Sequence, residues 1–152
     1  LSVAAAFLKH AGVDLLATLD GNRSDRDALA RQCPVAFTDT DTWSDIFSRI
    51  LVEKVEPNLG NGAVTILYEY PAVEAALARV CAHDGRVSER FELYACGMEL
   101  ANGFGELTDP FEQRRRFEVE KDLEEKLYPE SYPNAEHLFT PLQRTPPTTA
   151  CA

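Results

Sequence analysis

Residues 86–109 read RVSERFELYACGMELANGFGELTD. Two strand-like runs, 87–96 and 98–107, meet at Cys96-Gly97, a pair suited to a tight two-residue turn. The predicted product is an antiparallel hairpin, and its polar residues are unusual. Glu92, Glu99, Asn102 and Glu106 are interleaved with Phe91, Leu93, Leu100, Phe104 and Leu107. Carboxylates held on rigid strands can ligate a hard cation such as Mg²⁺, which takes oxygen ligands and substrate phosphates together. They can also pair with a cationic substrate group. The plainer reading is a sheet with one wet face whose glutamates are solvated, and on residue pattern alone that reading is preferred.

Upstream, the β-branched and aromatic run 64–70 predicts another strand, ended by Pro71. Pro57, Gly60 and Gly62 mark a loop before it. Trp43, Ile46, Phe47, Ile50 and Leu51 form one apolar stripe at helical spacing and predict a helix over 42–54 whose stripe is core. Ser24 predicts the cap of a helix over 24–32 that Pro34 stops, and Ser2 that of a helix over 3–10 closed by Gly12. Downstream, Asp109, Pro110 and Glu112 form a cap, a first-turn proline and an N3 acid, opening a charged, largely solvent-facing helix over 110–127. Five of the nine prolines follow residue 128, helical periodicity is lost, and 128–152 reads as an irregular, mobile Pro/Thr-rich tail.

The chain has 152 residues, enough for one domain with a real core. A net charge of −10 argues against blanket binding to nucleic acid, which needs clustered Lys and Arg. No apolar run approaches the ~20 residues that span a bilayer. Residues 3–8 are too short and lack the basic residues of a signal peptide. Cys33, Cys81, Cys96 and Cys151 have no C-x-x-C spacing, so free thiols in a reducing cytoplasm are expected rather than a zinc site. The chain opens on Leu1 and has no glycine after Gly105, which leaves a fragment open.

The arrangement of Arg90-Phe91-Glu92, then Glu99-Leu100-Ala101-Asn102-Gly103-Phe104, then Glu106-Leu107-Thr108-Asp109 resembles the region before motif 3 of class II lysyl-tRNA synthetases. It is most similar to the short branch of that family that modifies elongation factor P. Glu56-Pro57-Asn58-Leu59-Gly60, Tyr70-Pro71-Ala72 and Ala6-Phe7-Leu8 extend the likeness over residues 1–121. The resemblance implies an α+β fold: part of a class II catalytic domain, mainly antiparallel sheet with flanking helices, over 1–127. It implies ATP and Mg²⁺ as cofactors, with Glu92 and Glu99 binding Mg²⁺–ATP. It implies that Asn102 and Glu106 recognise the side-chain ammonium of lysine, that Phe104 lines the aliphatic stem, and that Ala101 favours β-lysine. One geometric difficulty stands. Strict alternation puts Glu99 and Ala101 on one face and Asn102, Phe104 and Glu106 on the other, so a shared pocket requires a twist or bulge, for which Gly103 is the candidate.

The family reaction forms an aminoacyl-adenylate from ATP and lysine or β-lysine, then passes the acyl group to a lysine of elongation factor P. It proceeds without a protein nucleophile, by positioning and charge neutralisation. The resemblance places motifs 1 and 2 upstream of Leu1 and motif 3 beyond the 110–127 helix, where no glycine occurs. The chain alone is therefore expected to be inactive, although a homodimer is possible for a full-length protein. The alternatives are a piece of a true lysyl-tRNA synthetase acting on tRNA-Lys, or a non-catalytic remnant that binds a lysine-like ligand.

Overall fold

In the computed structural model, which describes residues 1–127, 141 and 144–151, side-chain caps start each N-terminal helix. Ser2 Oγ accepts from Ala5 N at 3.3 Å to open α1 (Val3–Ala11). Gly12, at φ 69°, closes it by donating its N–H to Leu8 and Phe7 carbonyls. The second helix differs from expectation: α2 spans only Arg26–Ala30, and its cap is Asp25, whose Oδ1 accepts from Ala28 N at 2.9 Å. Ser24 is unavailable because Arg23–Ser24 (β2) folds back on Leu19–Asp20 (β1).

The third helix, α3 (Trp43–Ile50), opens with a reciprocal capping box between Thr42 and Asp45. Its apolar stripe is core: Ile46 and Ile50 are fully buried, and Phe47 stacks on Phe7 at 5.0 Å and on Trp43 at 5.2 Å. Burying each such side chain stabilises by about 1.5–3 kcal/mol. The helix was expected to run to 54. Instead Leu51–Val55 widens into a π-helical turn and Glu56–Asn58 tightens into a 3₁₀ turn at Pro57, which cannot donate to a continuing helix.

The main sheet is antiparallel throughout, in the order β3 (Thr65–Pro71), β4 (Val87–Ala95), β5 (Met98–Gly105), β6 (Thr149–Cys151). A two-residue turn joins β4 to β5, with Cys96 at φ 53° and Gly97 at φ 71°, the geometry that matches strand twist. The loop before β3 clasps this turn: Cys96 N donates to Gly60 O and Gly97 N to Leu59 O, each at 2.9 Å. Gly60 is obligatory there, because a Cβ would sit 2.5 Å from Ala95 Cα. Leu67, Tyr70 and Tyr94 join α1 and α3 in one core. The fold is α+β, a mainly antiparallel sheet with flanking helices, as the family resemblance implies.

The fourth helix, α4 (Pro110–Leu127), starts where expected: Asp109 Oδ1 accepts from Phe111 N at 2.9 Å and Glu112 N at 3.3 Å. Arg116 ties it to the domain by donating to the carbonyls of Ala75, Ala76 and Ala78 at 2.8, 3.2 and 3.0 Å. The segment 128–152 differs from a wholly irregular tail at 149–151, which add a strand to the sheet edge. Gly103 leaves room for it, since a Cβ there would lie 2.9 Å from Ala150 O, whereas a Cβ on Gly105 would meet the Glu89 and Arg79 side chains. Residues 128–140, 142, 143 and 152 of that segment lie outside the described residues.

Candidate functional site

Directly opposed residues in an antiparallel pair project from the same face. Glu92 opposes Asn102, and Arg90 opposes Phe104. Strict alternation would then put Glu99 on the other side. It does not, because the register shifts between Leu93 and Tyr94: Leu93 opposes Ala101 while Tyr94 opposes Glu99, leaving Leu100 as the extra residue of a β-bulge. The bulge turns Glu99 to the Glu92–Asn102 face, where Asn102 Nδ2 donates to Glu99 Oε1 at 3.4 Å. Beyond β5, Glu106 bridges to Ala78 and continues on the same face as Phe104. One face thus gathers Glu92, Glu99, Asn102, Phe104 and Glu106.

Two expectations are corrected here. Gly103 does not make the bulge; it sits in regular register opposite Phe91, whose ring fills the space a Cβ would need. Ala101 is not brought to the shared face. It opposes Leu93, and its methyl group points to the other side of the sheet.

The carboxylates differ sharply in surroundings. Glu92 is buried, at 5 % exposure, and accepts three hydrogen bonds. Tyr70 and Tyr94 hydroxyls donate to Oε2, the latter at 2.7 Å, and Arg90 Nη2 donates to Oε1 at 2.7 Å. Tyr70 reaches it because a second bulge, with Glu69 at φ 60°, resets the register of β3. Burial, reinforced by the Glu92 carboxylate, raises both tyrosine pKa values far above the ordinary range, so both remain hydroxyl donors. Glu99 is exposed and Glu106 half-buried, and neither has an ion pair among the described residues.

The sequence reading overlooked Arg90, Tyr94, Tyr70 and Glu56. Arg90 and Tyr94 share Glu92's parity on β4, a signal that was present. Tyr70 and Glu56 are brought in by a bulge and a π-helical turn, which have no such signature. Tyr94 Oη lies 3.3 Å from Glu56 Oε1. Burial raises the Glu56 pKa; the Tyr94 hydrogen bond opposes this, and the charges of Glu92 and Glu99 add to it.

The face can therefore offer a cationic ligand the open carboxylates Glu99 and Glu106 beside an amide and an aromatic ring. For a metal ion the fit is partial. Glu99 is accessible, but Glu92 already has a donor on each oxygen, and no group of three or more His, Cys, Asp or Glu among the described residues could hold a metal ion.

Residues 39–149 match the family model of tRNA synthetases class II (D, K and N). Proteins named elongation factor P–(R)-β-lysine ligase are similar over most of the chain. That of Histophilus somni (strain 2336) is 38 % identical over 121 residues, covering 80 % of this chain and 36 % of its own length. That of Salmonella typhi is 42 % identical over 119 residues, 78 % and 36 % respectively. That of Edwardsiella ictaluri is 36 % identical over 151 residues, 99 % and 46 %. The chain thus spans less than half the length of these curated relatives. With the match covering most of its residues, the chain belongs to the class II tRNA synthetases of the D, K and N group.

Proposed function

We propose that this chain carries the amino-acid-recognition part of an ATP-dependent ligase that activates lysine or β-lysine and transfers it to a lysine of elongation factor P. The observation that carries this reading is the Leu100 bulge, which sets Glu99 beside Asn102 on the face shared with Phe104 and Glu106. Glu106 is assigned the side-chain ammonium, with Asn102 supplying a neighbouring polar contact and Phe104 covering the aliphatic stem. A half-buried carboxylate left without its cationic partner costs several kcal/mol, which is how such a site rejects neutral analogues. The names of the relatives support elongation factor P over tRNA-Lys as acceptor. Glu99 and Glu92 are assigned to the Mg²⁺–ATP side, with Glu99 the accessible member. Among the described residues no helix is long and apolar enough to cross a membrane, and a cytoplasmic setting fits an enzyme of translation. Dimerisation is assigned to the family segment that carries motif 1.

Ligand binding to the chain tests this. Lysine and β-lysine should shift the backbone amide NMR signals of Asn102, Phe104 and Glu106, and Glu106→Gln should abolish the shifts. Norleucine, which keeps the α-ammonium but lacks the side-chain ammonium, should be silent. Equal responses to norleucine and lysine would overturn the reading.

A further inference from the structure

The pairing of Glu92 has a direct bearing on how any cation could reach it. A hard cation must take an oxygen lone pair. On Glu92, Oε2 is held by two tyrosine hydroxyls and Oε1 by the Arg90 guanidinium at 2.7 Å. The tyrosines are fixtures: Tyr70 is 2 % and Tyr94 1 % exposed. Arg90 is the partner that faces outward, with its side chain 28 % exposed. It is also well placed, its Cζ 4.5 Å over the Tyr70 ring and its Nη1 donating to Glu74 O at 2.9 Å. Arg90 opposes Phe104 and Glu92 opposes Asn102, so the guanidinium and the carboxylate it pairs with lie on the ligand face together.

We propose that Arg90 is the resident cation of the Glu92 carboxylate, so that a divalent ion reaches Glu92 only by displacing the guanidinium from Oε1. This rests on the assignment of Glu92 and Glu99 to the metal–nucleotide side. Arg90 is on this account a positioning residue: it neutralises a buried charge while the site is empty and sets how tightly the site takes a metal. A buried carboxylate that loses the cation paired with it keeps two neutral donors and gains a strong preference for another cation.

The experiment is Mn²⁺ binding to the 152-residue chain, read by water-proton relaxation and by the melting shift that Mn²⁺ produces. Arg90→Met should bind Mn²⁺ about tenfold or more tightly than the parent, the direction expected when a competing charge is removed. Adding Glu92→Gln should erase that gain. Arg90→Lys, which keeps the charge, should stay within about threefold of the parent. Arg90→Gln serves as the neutral variant should Arg90→Met fail to fold by circular dichroism. A purely structural arginine would lower affinity or leave it unchanged. Equal or weaker binding by the neutral variants, with binding still lost in Glu99→Gln, would overturn the proposal and leave the metal assignment standing. Binding insensitive to both Glu92 and Glu99 would remove the assignment and the proposal together.

Discussion

Asn102 Nδ2 lies 3.4 Å from Glu99 Oε1, although three residues along an ideal strand point to opposite faces. The Leu100 bulge between them makes the contact possible, and it is what separates a ligand-facing carboxylate from one on the far side of the sheet.

Glu106→Gln is expected to lose about ten- to a hundredfold in affinity for lysine or β-lysine, a charge-assisted contact being worth ~1.5–3 kcal/mol. Glu89→Gln is the control. Glu89 is on the opposite face and pairs with Arg79 at 2.6 Å, both half-exposed, an arrangement typically worth about 0–1 kcal/mol. Calorimetric titration of both variants decides between them; equal losses would mean that the wrong carboxylate has been assigned.

Ala101→Gly is expected to act through the strand rather than by enlarging a pocket, because the methyl group points away from Glu106. It should cost about 0.5–1 kcal/mol of stability and leave lysine affinity within about threefold of the parent. Melting curves and competition between β-lysine and α-lysine check this. A large swing towards α-lysine would show that the ligand contacts the Ala101 side of the strand.

Two glycines with similar backbone should respond very differently to alanine. Gly62, at φ 79°, has no atom within 4 Å of a built Cβ, so Gly62→Ala should cost only the left-handed penalty of about 1–2 kcal/mol. Gly60, at φ 70°, faces the Ala95 backbone at 2.5 Å. Gly60→Ala should therefore cost about 3 kcal/mol or more, since backbone must move. Urea denaturation of the pair is the measurement.

Stability should depend on pH with two opposite contributions. The Arg86 hydrogen bonds hold Asp84 down at about 2, and the Arg115 hydrogen bonds, with Arg116 behind them, hold Glu112 down at about 2. Folded-state values below the unfolded ones give stability that is complete above about pH 5 and is lost as pH falls towards 2. Glu56 is raised by burial, so it contributes with the reverse sign: the folded state binds the extra proton, and its stabilising contribution fades as pH rises through the folded-state value. Asp84→Asn and Glu112→Gln should flatten the acid limb, whereas Glu56→Gln should raise stability at pH 7 relative to pH 4. Melting temperatures across pH 2–8 test both signs.

The parts of this fold legible in the sequence are those with a local physical cause. The α3 stripe, the Asp109 cap and the Cys96-Gly97 turn each announce themselves through spacing or residue type. The site face was not legible in this way. Leu100 and Glu69 are ordinary strand residues by composition, yet each sits at a bulge, because register is decided by packing of Tyr70 and Tyr94 against helices far away in sequence. Family likeness pointed to Glu99 and Asn102 together; alternation alone argued against it. The edge strand at 149–151 was missed because Thr149–Cys151 is too short to show periodicity, and the close approach that admits it is at one glycine, Gly103 on β5.

The clasp at the hairpin turn also constrains the order in which the chain can assemble. Cys96 and Gly97 receive their carbonyl partners from Gly60 and Leu59, positions 36 and 38 residues earlier. A nascent chain that has exposed only residues 1–60 holds two unmatched acceptors, and the hairpin that satisfies them has not yet been made. The turn can form locally within microseconds, but its end is sealed only when this longer loop closes, at an entropic cost that grows slowly with its length. The ligand face should thus be sealed in a late event, because a chain interrupted before residue 97 can pair β3 with β4 but has no β5 and cannot complete the clasp.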